Sequence, residues 1–155
     1  MCKLCWSSLT ALFLAVALFG YKFLFQGDTA PMTDGRVAIQ LTENERDLIL
    51  SEMRAFVATL QNITQGIADD DLPQAALAAR KAGMAAQGGV PLSLMGKLPM
   101  EFKQLGLDTH QKFDQLALDA EQLGDGNHTL GQLSELMQNC VGCHAAYRMT
   151  LNKPQ

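Results

Sequence analysis

Near the C-terminal end of the 155-residue chain, Cys140, Val141, Gly142, Cys143 and His144 follow one another. Side chains three residues apart share a face of a helix. Two thiols so placed can add to the two vinyl groups along one side of a porphyrin. The imidazole that follows at once can turn beneath the iron as its proximal ligand. Cys-x-x-Cys-His is the spacing of covalent haem attachment, so one covalently bound haem c is expected on Cys140 and Cys143, with His144 on the iron. Other uses of a Cys pair fit less well. The second pair, Cys2 and Cys5, lies at the opposite end of the chain, too far off to complete a zinc ribbon. A thioredoxin-like motif needs a strand before it, and a disulfide between i and i+3 of a helix has awkward geometry. Cys2 and Cys5 read as incidental thiols at a membrane edge.

Helices must carry that motif. Thr42 and Glu45 form a capping-box pattern. Ile49, Met53, Phe56, Val57, Leu60, Ile63 and Ile67 then recur at steps of three and four, which predicts a helix ending near Gly66 or Ile67. Asp69, Asp70 and Asp71 read as the next helix start rather than as a metal cluster, with Pro73 in the first turn and the helix running to Ala86. Gly88, Gly89 and Pro91 break it. Pro99 opens a third helix with Phe102, Leu105, Thr109, Phe113, Leu116, Ala117, Ala120 and Leu123 on one face. After the Gly124 to Asn127 loop, Thr129 is the expected cap of a last helix. It would carry Leu130, Leu133, Leu136, Met137, Cys140 and Tyr147 and end before Pro154. No segment alternates with period two, so a sheet is disfavoured. The expected fold class is all-α: an antiparallel up-down-up-down four-helix bundle over residues 42–155, with first and last helices adjacent.

Residues 1–25 read as a signal segment or membrane anchor, apolar and uncharged from Leu4 to Tyr21 with Lys3 before it. The bulky residues after the apolar run favour a retained anchor over a cleaved signal. Lys3 then stays in the cytoplasm, Lys22 snorkels near the outer face, and the remainder is exported. Residues 26–41 hold Gly, Pro, Thr and Asp without a helical stripe and read as a tether. The net charge of −4 and the lack of a basic block make nucleic acid a poor partner.

The last helix, with haem attachment near the C-terminus and Tyr147-Arg148 just after His144, resembles the cytochrome c′ family over about Thr42 to Met149. The resemblance implies a four-helix bundle with haem between its helices, often a homodimer through the first two, exported to a bacterial periplasm. It also implies that Arg148 lies near the proximal haem face, where a plain helix-end cation is the competing reading. Arg46-x-x-x-Leu50 fits the family's distal pattern, in which an apolar residue leaves the iron five-coordinate. Low-spin relatives use a methionine of the first helix, and Met53 lies one turn from Leu50. Met53 as sixth ligand implies electron transfer between redox partners; Leu50 over an open site implies binding of nitric oxide or carbon monoxide. His110 is a ligand, a propionate partner or a surface imidazole, the last two being favoured, and His128 reads as an exposed loop residue. No distal His-Arg pair is found to cleave an O–O bond, so enzymatic activity is not expected. An acidic exported domain favours redox proteins with basic patches as partners.

Overall fold

The computed structural model describes residues 3–152. Cys2 and Pro154 lie outside them. Helix α1 (Lys3–Tyr21) runs into a π-helical turn, Lys22–Gln26. None of the residues of the apolar stretch Trp6–Gln26 is buried in the protein. By length and composition it is long and apolar enough to cross a membrane.

The expected tether is ordered. Strand β1 (Thr29–Pro31) pairs antiparallel with β2 (Val37–Leu41), and β2 pairs in parallel with β3 (Tyr147–Leu151), Val37 opposite Tyr147 and Leu41 opposite Leu151. This small sheet corrects the expectation of helices alone. Its middle strand buries Ala38, Ile39 and Leu41; the strand is too short, and its partner too distant in sequence, for alternation to announce it.

The rest is helical: α2 (Glu43–Ala68), α3 (Leu72–Arg80), a 3-10 turn (Met84–Gly89), α4 (Leu92–Lys97), α5 (Met100–Leu123) and α6 (Gly126–Ala146). Local chemistry sets the starts. The capping box at α2 is complete, because Thr42 Oγ1 accepts from the Glu45 N–H and Glu45 Oε2 accepts from the Thr42 N–H at 2.9 Å. Asp71 caps α3 by accepting from the Gln74 N–H at 3.0 Å. Pro99 precedes α5 as expected. α6 begins earlier than expected, because Asp125 Oδ1 accepts from the Asn127 and His128 N–H groups while Thr129 turns inward and is buried. His128 is accordingly helical, though exposed. α3 stops at Arg80, short of Ala86, since Gly83 and the 3-10 turn follow.

α2 packs on α3, α3 on α5, α5 on α6, and α2 on α6. One core cluster fills the space between them, with Ile63, Phe113, Leu116, Leu133 and Leu136 among small alanines from α3 and α5. A second cluster joins Ile39 and Leu41 of the sheet to Ile49, Leu94 and Leu98.

Candidate functional site

Between the two clusters lies a cavity of about 470 Å³, in the size range of small-molecule and cofactor pockets. Ile49 and Met53 of α2, Leu94 and Leu98 from around α4, and Phe102 and Leu105 of α5 give it apolar walls. α6 closes one side with Asn139, Cys140, Cys143 and His144. These four follow Thr129, Leu133 and Leu136 at helical spacing, so the stripe that buries α6 in the core continues into the cavity wall.

Both thiols are free and half-buried. Burial pushes the Cys140 and Cys143 thiols up from their ordinary range, and at Cys143 the neighbouring Cys140 adds a smaller upward push. They are therefore protonated at neutral pH, the unreactive form until deprotonated. His144, four residues after Cys140, is one turn further along the same face and exposed. Just before the motif, Asn139 ties α6 to α5: its Nδ2 donates to Asp108 Oδ2 at 2.7 Å and to Thr109 Oγ1 at 3.1 Å, and its Oδ1 accepts from Lys112 Nζ at 3.1 Å.

The opposite wall is formed by α2. Met53 lines the cavity, whereas Leu50 does not. Ile49, Met53, Phe56, Val57 and Leu60 are the apolar residues that α2 brings to it beside Leu48. Arg148 is not a cavity residue either. α6 ends at Ala146, and the extended backbone that follows sends Tyr147 and Met149 toward the second cluster and exposes Arg148 on the other side. It stands on β3, outside the cavity lining, and is the least of the causes that lower the Asp34 carboxyl, after Arg36.

Sequence reading missed a polar group on this wall. His110 is only 2% exposed, which excludes a surface imidazole. Its Nδ1 donates to the Ala82 carbonyl at 2.7 Å, leaving Nε2 to face Gln87 and, at 3.5 Å, Glu52 Oε1. Gln87 Nε2 also donates to Glu52 at 3.3 Å. Glu52, His110 and Gln87 all line the cavity. Burial pushes the Glu52 carboxyl above its usual range, against a smaller opposing effect of His110. A buried imidazole was signalled only by its place one turn before Phe113.

The donor set fits a haem. Two free thiols at i and i+3, an imidazole one residue on and a thioether on the facing helix surround an apolar space, and the lining Val57 is left 67% exposed among the described residues. Among the described residues, no group of three or more His, Cys, Asp or Glu side chains could hold a bare metal ion. Comparison with protein families, with curated proteins and with solved structures finds no match to this chain, so its function is argued from the site itself.

Proposed function

We propose that the chain is a membrane-anchored, periplasm-facing c-type cytochrome of the cytochrome c′ type, which passes single electrons between redox partners. The observation that carries the reading is the convergence of Cys140, Cys143, His144 and Met53 on one apolar cavity. Cys140 and Cys143 would hold the haem through thioether bonds, His144 would be the proximal ligand, and Met53 the distal one. When bound, the haem supplies a one-electron couple, and a Met/His ligand pair raises its potential. The chain does the rest. Asn139 fixes the register of α6 on α5, the apolar walls exclude water, and the hydrogen bond to Ala82 holds the His110 ring in one orientation.

The placement of Met53 supports the pairing. A Cβ on Gly126, at the start of α6, would lie 3.9 Å from Ile67, near the end of α2. From that point Cys140 lies fourteen residues along α6 and Met53 fourteen residues back along α2, a rise of about 21 Å in each case. Opposed in this way, the two helices bring Met53 level with Cys140. The same opposition, with short connections between α2, α3, α5 and α6, supports an antiparallel bundle. That Met53 lines the cavity and Leu50 does not favours the thioether over an open iron.

Denaturing mass spectrometry of the chain, expressed with haem-attachment machinery, tests attachment. The reading expects the polypeptide mass plus one haem; a chain that releases all its haem on denaturation sinks it.

A further inference from the structure

The apolar helix is joined to the domain without slack. Trp6–Gln26 has 21 residues, about 31 Å at helical rise, close to the roughly 30 Å of a bilayer's hydrocarbon core. On the anchor reading, Gln26 therefore lies at the membrane boundary. The next residue, Gly27, has φ +67° and packs so closely on the turn between α4 and α5 that a Cβ would strike the Lys97 carbonyl oxygen and the backbone of Leu98 and Pro99. Asp28 N–H donates to that same Lys97 carbonyl at 2.8 Å, the Asp28 carbonyl accepts from Gln40 N–H at 2.8 Å, and β1 starts at Thr29. Every residue from the end of the span to the sheet is thus held.

Contacts also reach back inside the span. The Phe23 ring lies against Gly96 of α4 so tightly that a Cβ at Gly96 would overlap it. Lys103 of α5 donates through Nζ to the Leu24 carbonyl at 3.1 Å and the Phe23 carbonyl at 3.4 Å, carbonyls that the end of a helix leaves open. One turn before Gly96, Leu92 is 82% exposed, the most exposed of the large apolar side chains among the described residues.

We propose that the corner where α4 meets α5 is a membrane-docking surface, seated in the headgroup layer of the bilayer that the apolar helix enters, with Leu92 dipping into lipid. The continuity of the corner with the span identifies the occupant: Gly96 touches Phe23, three residues inside the boundary. Leu94, Met95 and Lys103 belong both to this corner and to the cavity wall, so the cavity is held at a fixed height above the membrane. The proposal rests on the anchor part of the reading above and is independent of haem.

The test uses the full chain reconstituted in phosphatidylcholine and phosphatidylglycerol vesicles, with photoreactive benzoylphenylalanine in place of Leu92 or, as control, of Asn127. Asn127 lies beyond the far end of the 24-residue α5, about 35 Å along that helix from the corner. Illumination is expected to give several-fold more lipid adduct at position 92 than at 127. A flexible Gly-Ser linker inserted between Gln26 and Gly27 should bring position 92 down to the control level, and Gly96→Leu, which displaces Phe23, should lower it without a linker. Equal labelling at the two positions in a chain that floats with the vesicles, or full labelling at 92 despite the linker, overturns the docking and leaves the anchor standing. A chain that does not float overturns both.

Discussion

The two halves of α6 face opposite conditions. In the first half, Thr129, Leu133 and Leu136 are buried in a core that α2, α3 and α5 fill. In the second, Cys140 and Cys143 are half-covered and His144 is exposed, on the wall of a cavity that α2 and α5 leave open. The helix is continuous and its stripe keeps the same spacing. What changes is the chemistry of the residues on it, from apolar groups that pack to two free thiols and an imidazole.

Substitutions in the two halves should therefore differ in kind, and the largest contrast is at the motif. Cys140→Ala and Cys143→Ala are each expected to lower covalently bound haem sharply while the haem-free chain keeps its helical circular dichroism. Normal thioether-linked haem in both variants would falsify the attachment. His144→Ala should retain some haem but lose normal ligation, seen in the absorption spectrum.

In the packed half the effect is on stability. Leu136→Ala should cost about 2–5 kcal/mol, as deletion of a fully buried leucine does, whereas Val57→Ala on the open wall should stay within about 0.5 kcal/mol in the haem-free chain. Urea unfolding measures both, and equal losses would erase the difference between the halves. With haem bound, Val57→Ala should become costly, because the wall is then covered.

Asn139 stands at the boundary. Asn139→Ala removes the ties to Asp108, Thr109 and Lys112 and should cost about 1–3 kcal/mol, with a shift in the haem spectrum that a purely distant core substitution would not produce.

Glu52 gives the smallest effect and a pH signature. Its folded pKa lies above the unfolded one because of burial, so the folded state holds the proton more tightly. That contribution to stability is full below the unfolded pKa and is lost as pH rises through the folded value. At neutral pH the partly buried carboxylate weighs against folding. Glu52→Gln should then raise the melting temperature of the haem-free chain slightly near pH 7, and the gain should vanish near pH 4. A gain that persists in acid would place its cause elsewhere.

What was legible in the sequence follows from the range of the interactions involved. Thr42 with Glu45, Asp71, and Pro99 act within one helical turn, and each marks a helix start where expected. The Cys-x-x-Cys-His face is equally local. Asp125 took the capping role from Thr129 because two residues within reach could supply a side-chain oxygen and the earlier one left Thr129 free to be buried. The sheet was hidden because β2 and β3 are five residues each and the whole helical region lies between them in the sequence. Arg148 moved with β3, since a strand places alternate residues on opposite faces where a helix would not. The polar group of Glu52, Gln87 and His110 brings together three separate elements, and nothing in the spacing of any one of them announces the others.

The central claim, a covalently held low-spin haem with Met53 on the distal side, is tested most directly by the reduced optical spectrum of the full chain and of Met53→Leu, with and without carbon monoxide. The account predicts sharp low-spin c-type bands indifferent to carbon monoxide in the parent chain, and a high-spin spectrum that shifts with carbon monoxide in the variant. A parent chain that is already high-spin and binds carbon monoxide would contradict Met53 ligation and turn the reading toward a gas-binding protein; a chain with no haem at all would contradict it entirely.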